Sequence, residues 1–190
     1  MSDIEEKPRP GLRFLWLTIV TLILLGVLAA DAGRITVDGR PITAADRSTI
    51  GYMPEERGLY PKMSVVDQLV YLGRLRSLSA ADARARAMDL LARLELDARA
   101  DSRLEELSLG NQQRAQIAAA LVHDPVALVL DEPFSGLDPH AVETTLQVLR
   151  ETADTGVPVL FSSHQLDVVE RLCDELVILA DGRVRAAGTR

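Results

Sequence analysis

The sequence has little lysine, almost no cysteine and no excess of positive charge. Its 190 residues include 21 basic and 28 acidic ones, which gives a formal net charge of −7. Because a protein that binds duplex DNA normally shows a basic excess or a basic stripe, we expect no nucleic-acid partner. The single cysteine, Cys173, excludes an intramolecular disulfide and favours a reducing compartment. Lys7 and Lys62 are the two lysines, so chemistry that needs a lysine has two candidates.

An apolar run without charges occupies residues 14–30. It stands at the lower length limit for a membrane-spanning helix, and it also fits the apolar region of a signal peptide. A buried segment of an α/β core is the third interpretation and the one that we favour. A membrane anchor over 14–30 stays open as an alternative.

The rest of the chain alternates short apolar strands with helical patterns. The apolar runs predict strands at residues 50–53, 126–130, 157–161 and 175–179. The second and third of these have the character of parallel strands buried on both faces. Asp-Gly pairs at 38–39 and 181–182 predict tight turns, the second of which closes the series. Strands and helices in alternation predict an α/β fold with a parallel sheet.

Charged side chains follow two of the predicted strands. Asp131 and Glu132 come directly after the strand 126–130, and His164 follows the strand 157–161. Functional groups of such folds gather where parallel strands end. Two adjacent carboxylates are costly to hold there unless a cation compensates them, and Mg²⁺ bound through one carboxylate is the natural partner. The other carboxylate could then orient or deprotonate an attacking water.

Two further segments lie at expected helix starts. In the sequence LSLGN at 107–111, serine and glycine would present free backbone N–H groups and the positive end of a helix dipole, which suits phosphate. An ordinary N-cap is the alternative interpretation. The sequence SGLD at 135–138 forms a turn before Pro139, at the start of the next predicted helix.

The order and spacing of these segments resemble the nucleotide-binding domain of ATP-binding cassette (ABC) transporters. LSLGN with QQR resembles the family signature, ALVLDEP the Walker B strand, FSGLD the D-loop and SSH the switch histidine. With IGYMPEERGLYPKM, the pattern most resembles the ATPase subunits of the exporter (ABC-2 type) branch. The resemblance implies a P-loop NTPase-like parallel sheet core with a small helical subdomain at about residues 64–110.

The resemblance also implies roles for the residues at the strand ends. Asp131 would hold Mg²⁺, Glu132 would act as the general base, and His164 would stabilise the transferring γ-phosphate. ATP and Mg²⁺ are therefore the implied cofactors. The implied function is coupling of ATP binding and hydrolysis to transport by a separate membrane subunit.

Five more residues take roles from the same resemblance. Family members bind ATP between two subunits, so Ser108, Gly110 and Asn111 would serve the nucleotide of a partner cassette. Asp138 would couple the two sites, and Glu55 occupies the position of the family's Q-loop glutamine. The implied partners are a transmembrane permease subunit and a second cassette, in a homodimer or a heterodimer. The implied location is the cytoplasmic face of the cell membrane, as a peripheral subunit.

One family motif is missing from the sequence. The P-loop, Gly-x-x-x-x-Gly-Lys-[Ser/Thr], occurs nowhere in it, and the matching position near residues 17–21 reads LTIVT. We therefore expect an atypical lead and apolar segment at 1–21 and a partial cassette at 22–190, truncated at its N-terminus.

The missing motif leaves the activity of the chain open. In the interpretation that we favour, the chain is a truncated or wrongly started version of an active ATPase. In the other, it cannot hold ATP tightly itself and completes the ATP site of an intact partner. A membrane-anchored, non-catalytic protein built on a decayed cassette is a further alternative. Whether the chain is itself an ATPase is therefore undecided by its sequence.

Overall fold

The structure, a computed structural model, describes residues 19–37, 39–56 and 58–189, and these form two compact units. One unit comprises residues 48–168. The other joins the described residues before 48 to those after 168. The expected lead, and the part of the apolar run before residue 19, lie outside the described residues.

The described residues from 19 to 48 form four short elements. Residues 19–24 are helical (α1), and Gly26 follows with a φ of +75°. Strands β1 (Thr36–Val37) and β2 (Arg40–Pro41), on either side of the predicted turn, pair in antiparallel fashion. Helix α2 (Ala44–Ser48) comes next.

The apolar run is not a buried core segment in its described part. None of residues 19–30 is buried, and α1 extends no further than residue 24. The left-handed φ of Gly26 explains this end, because that conformation terminates helices. The described residues include no helix that is long and apolar enough to span a membrane.

A parallel sheet lies in the unit 48–168. Its strands are β3 (Ile50–Met53), β4 (Ala127–Leu130) and β5 (Val159–Phe161), in the spatial order β3-β4-β5. The predicted α/β fold with a parallel sheet is therefore confirmed. The last three residues of β4 are buried, as expected for a central strand. The expectation of a fully buried β5 was wrong, because within the described residues β5 pairs on one side only and Leu160 is 55% exposed.

Four longer helices lie between the strands of this sheet along the chain. They are α3 (Val65–Leu75), α4 (Ala80–Arg93), α5 (Leu109–Leu121) and α6 (Pro139–Asp154). Each begins after a side chain that accepts a backbone N–H three residues further on; the caps are Ser64, Ser79, Ser108 and Asp138. Such a cap stabilises a helix by about 1 kcal/mol. Short 3₁₀ turns at Asp97–Arg99 and Leu104–Glu106 connect α4 to α5.

The core of this unit consists of large apolar side chains from the helices and from β4. Its fully buried members include Leu69, Leu90, Leu91, Leu94, Ile117, Leu128, Leu130, Phe134, Leu146 and Leu149. Burying each such side chain contributes about 1.5–3 kcal/mol. This burial holds β4, and the residues that follow it, in a rigid environment.

The chain ends in a helix and a hairpin. Helix α7 (Leu166–Leu172) precedes β6 (Glu175–Ala180) and β7 (Arg183–Thr189), which pair in antiparallel fashion. Asp181 and Gly182 connect them with φ angles of 52° and 70°, which confirms the second predicted turn. The strand β7 was missed, because its sequence RVRAAGT lacks a run of apolar residues.

Gly51 in β3 provides a test of the packing between the sheet and α5. A Cβ atom there would lie 2.3 Å from the Ala120 carbonyl oxygen and 2.8 Å from Cδ2 of Leu128. We expect Gly51→Ala to lower the free energy of unfolding by about 1–3 kcal/mol, because the backbone must shift. Urea denaturation followed by circular dichroism measures the change.

Gly58→Ala is the matched control. Its added Cβ would meet Cγ of Pro54 at 3.8 Å, which is an ordinary contact distance. We expect a change of less than about 0.5 kcal/mol for this variant. Equal losses in the two variants would contradict the tight packing at Gly51.

Candidate functional site

Two buried carboxylates lie at the carboxyl edge of the parallel sheet. Asp131 and Glu132 directly follow β4, and their exposed fractions are 3% and 4%. In the register of the sheet Leu130 pairs with Phe161, so the residues after β4 and after β5 meet at one edge. The structure thus brings His164 to the carboxylates, where the sequence analysis expected it.

Neighbouring strands hold Asp131 from both sides. Its backbone N–H donates to the Met53 carbonyl at the end of β3, at 2.9 Å. Its Oδ1 accepts a hydrogen bond from the Ser162 hydroxyl, at 2.6 Å. The contact from β3 therefore fixes the backbone of Asp131, and the contact from Ser162 orients its carboxylate.

The backbone of Glu132 is strained and hydrogen-bonded at both ends. Its φ of +49° lies in the left-handed region, which costs a non-glycine residue about 1–3 kcal/mol. The N–H donates to Ser162 Oγ at 2.9 Å, and the carbonyl accepts from Gln113 Nε2 at 2.9 Å and from the Ser135 N–H at 3.1 Å. These bonds stabilise a conformation that the chain would otherwise avoid.

The Glu132 side chain reaches outward to His164. Its Oε2 lies 2.9 Å from His164 Nδ1, and the histidine side chain is 59% exposed. A buried carboxylate therefore contacts an imidazole that is open to solvent or to a ligand. In such a pair the carboxylate can accept a proton from a bound molecule, and the imidazole can hold the carboxylate in place.

Glu55 faces the same two carboxylates from the loop after β3. Desolvation raises the pKa of its exposed carboxyl above the ordinary value, and the negative charges of Asp131 and Glu132 raise it further. Within the described part of the chain, no group of three or more His, Cys, Asp or Glu side chains is arranged to hold a metal. A cation at this edge would need oxygen ligands from phosphate or water as well, which is how proteins usually bind Mg²⁺.

The LSLGN segment forms the start of α5. Ser108 is the N-cap and accepts the Asn111 N–H at 3.3 Å, while Asn111 Oδ1 accepts from Arg114 at 2.6 Å. A Cβ on Gly110 would lie 3.3 Å from the Gly136 carbonyl oxygen, so this helix start packs against the turn after β4. The N-cap is confirmed, and its free N–H groups are also compatible with a phosphate.

Asp138 has the same kind of structural role at α6. Its carboxylate accepts the Ala141 N–H at 3.0 Å, and this bond holds its pKa below the ordinary value. Ser108, Asn111 and Asp138 form no hydrogen bond with Asp131 or Glu132 in the structure as described. Of the residues singled out from the sequence, the carboxylate pair and His164 are thus in direct contact, and the others occupy helix starts or loops.

Three polar residues that support this edge have no role in the sequence prediction, although QQR contains Gln113 and SSH contains Ser162. Ser162 and Gln113 bond the backbone of Glu132, and Gln116 Nε2 lies 3.4 Å from the Glu56 carbonyl in the loop that carries Glu55. The sequence carried a signal for the glutamines, because Gln113 and Gln116 are three residues apart in an alanine-rich helical segment and so lie on one helix face. Ser162 could have been noticed as the first residue after a predicted strand.

The sequence is similar to those of ABC transporter ATP-binding proteins. The family model described as ABC transporter matches residues 18–135. An uncharacterized ABC transporter ATP-binding protein of Bacillus subtilis, YhaQ, is 45% identical over 85% of this chain and 54% of its own length. The Nod factor export ATP-binding protein I of Paraburkholderia xenovorans is 38% identical over 90% of this chain and 57% of its own. The chain thus spans little more than half the length of these relatives.

A solved structure shows the same similarity in three dimensions. The structure of an ATP-binding subunit of an ABC transporter superposes with a TM-score of 0.80 at 32% identity, over 90% of this chain and 73% of that one. The fold is therefore that of the P-loop NTPase-like ABC cassettes, as the sequence analysis expected.

The raised pKa of Glu55 predicts a pH-dependent stability. A carboxyl whose folded-state pKa is raised destabilises the fold when it ionises, so its cost is present at neutral pH and disappears as the pH falls to about 4. We expect Glu55→Gln to raise the free energy of unfolding at pH 7, by less than about 0.5 kcal/mol because solvent screens an exposed group. Urea denaturation at pH 7 and pH 4 tests this.

Glu105→Gln, at an exposed position on the connection between α4 and α5, is the control and should have little effect at either pH. A Glu55→Gln protein that is less stable than the parent at pH 7 would show that the carboxylate is not repelled by its neighbours.

Proposed function

The chain belongs to the ABC transporter family, and we propose that it is the ATP-binding subunit of an exporter. Members of this family bind nucleotide, typically with Mg²⁺, at the membrane periphery, and they act with permease subunits. In this proposal two cassettes bind and hydrolyse ATP between them and drive transport by a separate membrane subunit. The name of the Nod factor export relative supports the exporter branch.

The contact between Glu132 and His164 carries this proposal. It lies at 2.9 Å beside Asp131, at the carboxyl edge where ligands of parallel α/β folds bind. In this proposal the Glu132 carboxylate accepts the proton of a water that attacks the γ-phosphorus. His164 donates a hydrogen bond to the phosphate oxygens as their charge is redistributed. ADP and inorganic phosphate are the products.

The donor set at this edge fits Mg²⁺. Asp131 offers a hard oxygen ligand, and Ser162 orients it through a 2.6 Å hydrogen bond. We assign Asp131 to the metal and Glu132 to the water. When bound, Mg²⁺ would neutralise negative charge on the phosphates.

The residues at the helix starts serve a second cassette in this proposal. Ser108 is exposed at the N-terminus of α5, where Gly110 and Asn111 complete the turn, and these groups would contact the nucleotide of the partner. Asp138 would couple the two sites from the start of α6. The partner is a second copy or a related cassette.

Two further assignments concern the contact with the permease and the bounds of the cassette. Glu55 and a helical subdomain at about 64–110 would touch the transmembrane subunit. In this proposal the cassette extends over 22–190 and lies on the cytoplasmic face of the membrane.

A second candidate function follows from the lack of a P-loop motif in the sequence. Without that lysine and its glycine-rich turn, this chain would complete the ATP site of an intact partner through Ser108 and Gly110 and would not grip ATP itself. The exposure of Ser108 supports this alternative.

The ATP affinity of the full chain tests whether the chain binds nucleotide tightly by itself. We expect the full chain to bind ATP with Mg²⁺ at a dissociation constant of about 1 mM or weaker, because the P-loop normally supplies most phosphate contacts. Isothermal titration calorimetry measures it. Asp131→Ala should abolish the residual binding, and Asp154→Ala, at an exposed residue at the end of α6, should leave it unchanged.

A micromolar affinity that Asp131→Ala abolishes would overturn the expected weakness and would show that this chain holds ATP without the motif. Residual binding that is the same in Asp131→Ala and in the parent would contradict the assignment of Asp131 to the metal.

A further inference from the structure

We propose that Ser162 and Gln113 are positioning residues that lock the Glu132 peptide in its left-handed conformation and thereby aim Glu132 at His164. The inference rests on the proposed function, which makes Glu132 the general base. It concerns residues that touch the backbone of the base, and neither of them touches the reacting atoms.

The Ser162 hydroxyl fixes the first end of this peptide. It accepts the Glu132 N–H at 2.9 Å and donates its own proton to Asp131 Oδ1 at 2.6 Å. A serine hydroxyl has one proton, so the donation to Asp131 sets the direction of the hydroxyl and leaves a lone pair for the N–H. One side chain thus ties the proposed metal ligand to the proposed base.

Gln113 fixes the other end from a different element. Its Nε2 donates to the Glu132 carbonyl at 2.9 Å, and the side chain is 5% exposed on α5. If Glu132 relaxed from a φ of +49° to an ordinary helical or extended value, its N–H and carbonyl would move away from these partners. Polar groups without partners in a buried place are costly, so these two bonds hold the strained conformation together with the Ser135 N–H, which also donates to the Glu132 carbonyl at 3.1 Å.

The backbone conformation decides where the Glu132 side chain points. The direction of the Cα–Cβ bond follows from φ and ψ, and in the left-handed conformation it brings Oε2 within 2.9 Å of His164 Nδ1. Loosening the peptide should therefore break a contact at the tip of the side chain. This consequence separates a positioning role from mere stabilisation of the fold.

The experiment compares Ser162→Thr with Ser162→Val in the full chain, without nucleotide or metal. Threonine and valine have nearly the same shape, but only threonine keeps the hydroxyl. Two nuclear magnetic resonance signals are followed: the exchange rate of the Glu132 amide proton and the imidazole resonances of His164. His123 and His140 serve as internal references in the same spectra.

We expect Ser162→Val to speed exchange of the Glu132 amide by about tenfold, which corresponds to about 1.4 kcal/mol, and to move the His164 resonances. Ser162→Thr should keep both signals near those of the parent. Ser163→Ala is the control for a neighbouring serine, since that hydroxyl accepts the Gln165 N–H and contacts neither carboxylate in the structure as described. It should leave the Glu132 amide unchanged.

Gln113→Met loosens the same peptide from its other end and replaces Ser162→Val if that protein does not fold. It should move the His164 resonances in the same direction. A folded Ser162→Val or Gln113→Met protein with unmoved His164 resonances would overturn the proposal. A threonine variant that behaves like the valine variant would overturn it as well.

These signals are independent of ATP, so they separate this inference from the proposed function. Coupling of Ser162 to His164 in a chain that binds no ATP would support the positioning role and contradict the first candidate function, in which this chain's own carboxylates act on ATP. Nucleotide binding that depends on Asp131, with no effect of Ser162→Val on the His164 resonances, would support the proposed function and contradict the positioning role.

Discussion

The hydroxyl of Ser162 joins the ends of two parallel strands, and the geometry of the site depends on it. Asp131 and Glu132 are buried side by side after β4, where neither carboxylate would be stable in an arbitrary orientation. Ser162 orients the first through its hydroxyl proton and anchors the backbone of the second through its oxygen. The pairing of β4 with β5 brings these groups together, so the same strand pairing forms the parallel sheet and assembles the site.

The features that depend on local sequence could be predicted. Strand β3, strand β4 and the caps at Ser79, Ser108 and Asp138 follow from short apolar runs and from side chains that bond the backbone three residues away. The resemblance to a family also singled out the residues that meet at the strand ends.

The features that depend on tertiary contacts could not be predicted. The left-handed φ of Glu132 is accompanied by hydrogen bonds from distant residues, since Ser162 and Gln113, 30 and 19 residues away, bond its N–H and its carbonyl. The exposure of Leu160 in β5 depends on which strands lie beside it, and its own apolar sequence indicated the opposite. The apolar run before residue 30 has no sequence feature that distinguishes a buried segment from an exposed one, so its burial could not be inferred.

In the proposed function, the edge after β4 is a cation and phosphate site even though the sequence contains no P-loop motif. Paramagnetic broadening by Mn²⁺ is the most direct test, because it detects weak binding and locates it. With ATP and Mn²⁺ added to the ¹⁵N-labelled full chain, the account predicts that the amide signals of Asp131, Glu132 and His164 broaden first, and that Asp131→Ala abolishes this. Broadening centred on exposed carboxylates elsewhere, or the same pattern in Asp131→Ala, would contradict it.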